Sequence, residues 1–417
     1  MKISILSDFH FGYAYNSRLE NDSFDQAEEA IEKSLDSDLI LIGGDFFDVR
    51  APKTQIWGRA VKILSKPLLK ENTGIKLIEC TKELKEISHR TLNHIPVIAI
   101  HGNHERLAKG EINAVEALEN AGILIHLHCN TIVFEKDGIK VAVHGMSSVP
   151  ERFAKDILDQ WNPKPIPNCF NILFLHQNID PYVYSPLEPP SLNLSNLPKG
   201  FNLIINGHIH TLTQEKFDNT ILLIPGSTVI TQFQPSEADK EKTIVKLNIE
   251  KDLKVDFISL ETSRKFYYKE MKIENTMSLR DQIEQEISDI VYKRAFFKPP
   301  IIRLKIAGKE TEVIDKELRL LETKYGEKAI LSFSKELESP EITQKLEFLR
   351  NLREQKLSVE EIGLSLLKKN LDELTFEPQF DYNSLFGLLV DNEIDRAFNI
   401  LVGEQKTLNQ VFEKSAR

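Results

Sequence analysis

Five short stretches of this 417-residue chain carry side chains able to bind a divalent cation or move a proton: Ser7-Asp8-Phe9-His10, Gly43-Gly44-Asp45, Gly102-Asn103-His104-Glu105, Leu175-His176-Gln177 and Asn206-Gly207-His208-Ile209-His210. Asp8 and His10 stand two apart, as do His208 and His210. Each pair aims two side chains into one cavity if the backbone there stays extended. Carboxylate, imidazole and amide-oxygen donors without a thiolate suit Mn²⁺, Fe²⁺ or Zn²⁺ better than Ca²⁺ and argue against a structural zinc site. The seven donors Asp8, His10, Asp45, Asn103, His176, His208 and His210 are too many for one ion. Two ions about 3.5–4 Å apart, one carboxylate bridging, would engage them all and clamp the attacking and leaving oxygens of an in-line displacement at phosphorus. Asp45 is the natural bridge. His104, beside Asn103, is left to contact a phosphate oxygen or to protonate the leaving group.

Such residues need elements that hold them still. Each stretch follows a short apolar run that reads as a strand: residues 2–7, 38–42, 97–100, 172–175 and 203–205, with 141–143 and 221–224 completing the set. Helical periods alternate with these runs, as at Phe24, Ala27, Ile31 and Leu35, which follow a capping-box pattern over residues 23–26. The alternation predicts an α/β domain, whose ligand sites lie on loops beyond the strand ends. From about Ser263 a second, smaller α/β unit is expected, with strands over 264–273 and 301–306 and helices over 278–291 and 311–325. After Ser339 and Pro340 the strand signals stop, and a Pro-containing break falls at 377–379. Tyr382, Leu385, Phe386 and Leu389, then Ile394, Phe398 and Leu401, predict amphipathic helices too short to own a core and suited to docking in a partner's groove. The expected divisions are 1–262, 263–338 and 339–417.

Composition narrows the class. Hydrophobic residues at 41% and charged residues at 28% are those of a folded soluble chain. The absence of a run of about 18 apolar residues excludes a spanning helix. The three cysteines, Cys80, Cys129 and Cys169, offer no disulfide framework, and a reducing cytoplasm is expected. The net charge of −10 argues at first against a nucleic-acid partner, yet residues 263–335 hold sixteen Lys and Arg against twelve Asp and Glu. Cations in an acidic cleft would shift the local balance further. Arg50, Lys53, Arg106 and Lys109 follow the metal motifs on loops, where they could track a DNA backbone. His126 and His128 read as surface or rim residues. His144, at a strand end, is a candidate for orienting a ligand.

Taken in order, D-x-H, G-D, G-N-H-[D/E], a later H and G-H-x-H, the motifs resemble the calcineurin-like metallophosphoesterase superfamily. Within it, Ser7-Asp8-Phe9-His10-Phe11-Gly12, Gly44-Asp45-Phe46-Phe47-Asp48, His101-Gly102-Asn103-His104-Glu105 and the small domain containing residues 303–310 resemble the meiotic recombination eleven family of DNA double-strand-break repair nucleases in its archaeal form. The resemblance implies a two-layer β-sandwich flanked by helices, a small α/β DNA-binding cap domain and a helical tail that docks a coiled-coil ABC ATPase through residues 380–401. It implies two Mn²⁺ per subunit, with Fe²⁺ or Zn²⁺ as alternatives: one on Asp8, His10, Asp45 and His210, the other on Asp45, Asn103, His176 and His208. His104 would be the catalytic histidine. A homodimer through helices is also implied; Ile112, Val115 and Leu118 could supply the face, although core packing is the favoured reading of these three. Asp48 departs from the pattern, standing where several relatives carry a histidine. The expected function is a Mn²⁺-dependent exonuclease and endonuclease of a double-strand-break repair complex, with a phosphomonoesterase or nucleotidase as the alternative.

Overall fold

Ile3 and Ile5 on one face of the strand Lys2–Leu6, and Ser4 and Leu6 on the other, are all buried, so both faces of this strand are covered by other parts of the chain. The computed structural model describes residues 1–338, apart from 108–109, 184–190, 218, 251, 274–278 and 310–312, together with 363–364, 367–368, 381–390 and 396–398. The Lys2–Leu6 strand lies inside a six-stranded sheet ordered Leu253–Ser259, Thr243–Ile249, Lys2–Leu6, Leu39–Ile42, Val97–Ala99, Ile125–His126. A seven-stranded sheet runs Thr213–Phe217, Thr220–Ile224, Leu203–Asn206, Phe170–Leu175, Ile139–Met146, Asn130–Lys136, Lys76–Cys80. Between the sheets Ile3, Ile5, Leu41 and Ile98 pack with Phe134, Val143, Ile172, Phe174 and Ile205. The opposite face of the first sheet, through Leu6, Ile40 and Ile42, buries the apolar sides of helices Asp22–Ser34 and Thr54–Leu64. Leu173, Leu175 and Ile204 do the same for helix Glu151–Trp161. This is the two-layer β-sandwich flanked by helices that the resemblance implied.

The seven expected strands form within a residue or two of their predicted limits, except that 141–143 extends to Ile139–Met146. Other strands of the two sheets escape the apolar-run criterion. Three of them, Thr213–Phe217, Leu253–Ser259 and Lys76–Cys80, are sheet edges with few buried side chains, so no apolar run marks them. The first helix also differs from expectation. It begins at Asp22, one residue before the expected cap; Ser23 is buried inside it, and the preceding Asn21 makes no side-chain cap bond. A tertiary ion pair holds this end instead. Arg264 Nε and Nη2 donate to Asp22 Oδ2 and Oδ1 at 2.6 and 2.9 Å, and Lys298 Nζ reaches Asp22 at 3.2 Å and Asp25 at 2.8 Å.

By packing, the chain separates into two units, Met1–Ile306 with Glu312–Lys335, and Ala307–Thr311 with Glu336–Arg417. The small α/β part comprises strand Phe266–Ile273, helix Leu279–Lys293, strand Ile301–Lys309, helix Val313–Tyr325 and a third strand, Ile330–Glu338, which was not anticipated. In the second unit the helix Tyr382–Val390 forms as expected. Asp381 opens it, taking the Ser384 hydroxyl on its carboxylate at 2.7 Å and the Leu385 N–H on its carbonyl at 3.0 Å. Leu385 is buried and Leu389 exposed. The expected break at 377–379, Ile394 and Leu401 lie outside the described residues. No helix among the described residues is long and apolar enough to cross a membrane.

Removing the guanidinium from the buried Arg264–Asp22 pair leaves a carboxylate with only Lys298 for compensation. Arg264→Ala should therefore destabilise the chain by about 3 kcal/mol, the low end for breaking a buried pair, read as a shifted midpoint in chemical denaturation. An unchanged midpoint would remove this pair as the anchor.

Candidate metal centre

The loops that follow two adjacent parallel strands are zipped together. Asp8 N–H donates to Gly44 O at 3.0 Å, His10 N–H to Asp45 O at 3.0 Å and Phe11 N–H to Phe46 O at 2.7 Å. Within them the backbone is not extended, as the two-residue spacing had suggested. Asp8, His10 and Asp45 have φ of 53°, 47° and 47°, and His208 has 80°. Left-handed backbone at a non-glycine residue costs of order 1–3 kcal/mol and persists where surrounding bonds over-determine it; here the inter-loop ladder does so. Two glycines make the approach feasible. A Cβ on Gly102 would lie 2.0 Å from Asp45 Oδ1, and one on Gly207 would lie 2.2 Å from Gly43 O and 2.7 Å from His176 Nδ1.

All seven predicted donors converge. Asp8, His10 and His210 form one group and Asp45, His176 and His208 another, each with ligand atoms within 4.8 Å of one another; a third, His10, Asp45 and His104, joins them. His10 Nε2 faces His210 Nε2 at 3.1 Å and lies 4.0 Å from Asp45 Oδ2. His176 Nε2 is 3.4 Å from Asp45 Oδ2. Asn103 Oδ1 sits 3.1 Å from His176 Nε2 and 3.0 Å from His208 Nδ1. The ring nitrogens that face away are tied down: His176 Nδ1 donates to Gly43 O at 2.6 Å, and His210 Nδ1 meets Thr231 Oγ1 at 2.9 Å. His176 and His210 therefore present Nε2 to the centre, whereas His208 presents Nδ1. His104 donates its backbone N–H to Asp45 Oδ1 at 3.0 Å, and its Nδ1 meets the Asp48 carbonyl at 2.7 Å.

The electrostatics fit cations. Asp8 Oδ1 is buried without a hydrogen-bond donor. Burial, opposed by His176 and reinforced by Asp45, pushes the Asp8 carboxyl up to about 6. Burial would raise Asp45 too, but His176 and His10 hold it well below the usual carboxylate range. Burial, with His176 adding, lowers His208 to about 3, and burial with His10 holds His210 far down, so both rings are neutral with lone pairs to offer. Burial would lower His176 as well, but Asp45 outweighs it and brings it to about 9, so a cation held here would have to replace a proton.

Glu105 appeared in the motif without a role, and it braces the two sides. Its Oε1 accepts the Phe47 N–H and its Oε2 the Gly102 N–H, both at 2.8 Å. Nothing in the sequence marked Lys242, which lies 32 residues beyond His210 and bonds the His210 carbonyl at 3.1 Å, Ser227 Oγ at 2.8 Å and Glu237 Oε1 at 2.7 Å. His126 corrects an expectation. It is buried, not on the rim, with its Nε2 3.0 Å from His101 Nδ1 and its ring stacked on His101, whereas His128 is exposed. His144 orients no ligand, because Thr131 Oγ1 at 2.9 Å and Asn171 Oδ1 at 3.2 Å use both its nitrogens. Arg50 and Lys53 are exposed, Lys53 Nζ lying 4.3 Å from the Tyr15 ring centre. Arg106 pairs with Glu151 at 3.7 Å, and Lys109 is outside the described residues. Val115 and Leu118 are buried in the chain's own core, leaving only Ile112 of the three exposed.

The centre opens into a cleft of about 570 Å³ lined by His10, Asp45, Asp48, Asn103, His104, His208 and His210, among others. A carboxylate and imidazole cage on loops at the strand ends of a helix-flanked β-sandwich defines a metal-dependent phosphoesterase. The chain belongs to the calcineurin-like phosphoesterase family, whose profile matches residues 1–212. It is 26% identical to the double-strand break repair protein MRE11 of Encephalitozoon cuniculi over 70% of this chain and 53% of that protein. It is 27% identical to the double-strand break repair protein mus-23 of Neurospora crassa over 70% of this chain and 44% of that one. The chain thus spans about half the length of the curated relatives it matches. A solved archaeal phosphodiesterase aligns at 15% identity and a TM-score of 0.29, over 62% of this chain and 100% of that one, too loosely to draw on.

A methyl group at Gly207 would press on Gly43 O at 2.2 Å, His176 Nδ1 at 2.7 Å and Ser7 Oγ at 2.8 Å together, and so must move the cage backbone and the His176 ring. Gly207→Ala should lower the divalent-metal content per chain, by about half or more, while far-ultraviolet circular dichroism is retained, as measured by elemental analysis of the dialysed protein. Full metal content would show that the close approach is dispensable.

Proposed function

We propose that the chain is a Mn²⁺-dependent DNA nuclease that hydrolyses phosphodiester bonds, both from ends and internally, within a double-strand-break repair complex. The observation that carries this reading is the position of Asp45, whose Oδ2 lies 4.0 Å from His10 on one side and 3.4 Å from His176 on the other. In this reading Asp8, His10, Asp45 and His210 hold one ion and Asp45, Asn103, His176 and His208 the second. Bound there, the pair supplies polarisation of a phosphoryl oxygen and a lowered pKa for the attacking water.

The chain's own contribution centres on His104. The Asp48 carbonyl can only accept, so the 2.7 Å contact places a proton on His104 Nδ1 and leaves Nε2 as the exchangeable position. The ring stands edge-on to His10, with centroids 4.8 Å apart at 87°, which limits its rotation. From there Nε2 donates to a phosphoryl oxygen or delivers a proton to the departing oxygen. Asp48 does further work through its side chain, with Oδ1 3.3 Å from His10 Nδ1, so it orients two imidazoles at once.

The DNA substrate and the partners rest on the relatives' names and on this cleft. Arg50, Lys53, Arg106 and Lys109 are assigned to the DNA backbone, and the tail from residue 380 to a coiled-coil ABC ATPase. The assembly is read as a homodimer, with its face outside Val115 and Leu118.

His104→Ala should reduce Mn²⁺-dependent cleavage of linear duplex DNA by about 10²- to 10⁴-fold with Mn²⁺ content unchanged; cleavage at the parental rate would remove His104 from the mechanism. Faster turnover of a phosphate monoester than of duplex DNA would favour a phosphomonoesterase or nucleotidase. Deleting residues 381–417 should abolish capture of the ATPase without loss of Mn²⁺, and retained capture would place the docking segment elsewhere.

A further inference from the structure

Of the four donors read as holding the first ion, Asp8, His10 and Asp45 stand on loops after Lys2–Leu6 and Leu39–Ile42 of the six-stranded sheet. His210 alone comes from the seven-stranded sheet, in the loop between Leu203–Asn206 and Thr213–Phe217. That ion therefore depends on how firmly one loop is registered against the opposite sheet. The second ion, on Asp45, Asn103, His176 and His208, takes two donors from each sheet.

A buried ion pair that the hydrolytic chemistry does not use supplies the registration. Lys242 immediately precedes Thr243–Ile249, the strand of the six-stranded sheet that pairs antiparallel with Lys2–Leu6, and its Nζ crosses to the His210 carbonyl at 3.1 Å. Ser227 Oγ at 2.8 Å and Glu237 Oε1 at 2.7 Å take the other two ammonium hydrogens, so three donors meet three acceptors. Glu237 works on the other side of the imidazole. Its Oε2 accepts the Gln232 N–H at 3.3 Å, next to Thr231, whose Oγ1 meets His210 Nδ1 at 2.9 Å. One pair thus fixes the carbonyl of His210 and the segment that carries the partner of its outward ring nitrogen.

Stability alone gives no reason for this pair. The side chains of Lys242 and Glu237 are 7% and 2% exposed, so both charges have lost their water. Apolar residues of similar volume in such a place are often as stabilising or more so. What they cannot do is hold a backbone carbonyl at a set distance and direction, which a hydrogen bond does.

We propose that Lys242 and Glu237 are positioning residues for one of the two ions. They set His210 against Asp8, His10 and Asp45, and so determine the affinity of the ion on these four while leaving the ion on Asp45, Asn103, His176 and His208 in place. The proposal rests on the two-ion reading of the cage and deepens it, because it assigns residues outside the motifs to a single ion.

The test is Mn²⁺ binding by the full chain, followed by calorimetric titration and electron paramagnetic resonance. Two Mn²⁺ about 3.5–4 Å apart couple magnetically and a lone Mn²⁺ does not, so the spectrum reports pairing without any substrate. Lys242→Met alone strands the Glu237 carboxylate and risks misfolding. The decisive variant is Lys242→Met with Glu237→Gln, which leaves no buried charge of the pair behind. In it one Mn²⁺ should bind as tightly as in the parent and the other roughly 10- to 100-fold more weakly, the range for losing an outer partner of a metal ligand. At a Mn²⁺ concentration between the two affinities its spectrum should be that of an isolated ion, and should match His210→Ala rather than His176→Ala. Paired ions at parental affinity would overturn the proposal. So would equal weakening of both ions, which marks a general loosening of the fold, or a spectrum matching His176→Ala. If the double variant loses one ion as expected and the parent cleaves no DNA, the nuclease reading fails and this assignment stands. If the double variant keeps the pair while the parent cleaves DNA, the reverse holds. A parent that binds a single Mn²⁺ would overturn this assignment together with the two-ion reading.

Discussion

The carboxylate of Asp45 is buried, and the rest of the centre depends on keeping it ionised there. Desolvation alone would protonate it. Instead Oδ1 takes the His104 N–H at 3.0 Å and Oδ2 faces His176 and His10, and the result is a pKa well below the ordinary carboxylate range. The neighbours absorb the consequence. Burial first, then the Asp45 charge, pushes Glu105 up to about 8. Asp8 and Asp45 thus share a dry space in which two negative charges repel strongly and Glu105 holds its proton instead, and divalent cations would relieve what backbone N–H groups and imidazoles relieve only in part.

Holding that arrangement requires close backbone approach, and the sandwich supplies it. Parallel pairing of Lys2–Leu6 with Leu39–Ile42, and of Leu39–Ile42 with Val97–Ala99, delivers three loops side by side. In the second sheet, pairing of Phe170–Leu175 with Leu203–Asn206 sets His176 beside the His208 and His210 loop. The left-handed residues then turn side chains inward over distances too short for a Cβ on the facing strand-end glycines. Strain and close packing sit at the site, and the cost is carried by the apolar core between the two sheets.

Contacts continue outward from His210. Thr231 holds its Nδ1 and gives its own carbonyl to Tyr13 OH at 2.8 Å, while Arg303, on the central strand of the small sheet, reaches the Gln232 and Phe233 carbonyls at 3.5 and 3.3 Å. Lys242 meets the His210 carbonyl from another direction. The small α/β part is therefore in contact with the loop that supports a cage imidazole, and the Arg264–Asp22 pair fastens it to the first helix.

The cage was legible from the chain alone, because its donors fall in short motifs after apolar runs, and both the order of motifs and the burial of parallel strands leave local marks. The helical beginning of the tail and the main elements of the small α/β part were legible for the same reason. Edge strands were not, since they bury little and so show no apolar run. Nor was the left-handed backbone at Asp8 and His10, which inter-loop hydrogen bonds impose against local preference. Lys242, Thr231 and the buried His126 were invisible because their roles arise from residues tens of positions away meeting in space, and an ordinary lysine, threonine or histidine carries no local signal of such a meeting. Residue types and order in the sequence determined which chemistry this protein could hold. Tertiary packing decided which nitrogen of each imidazole faces the centre and which ordinary polar residues keep it there, because both depend on the positions of partners distant in the chain.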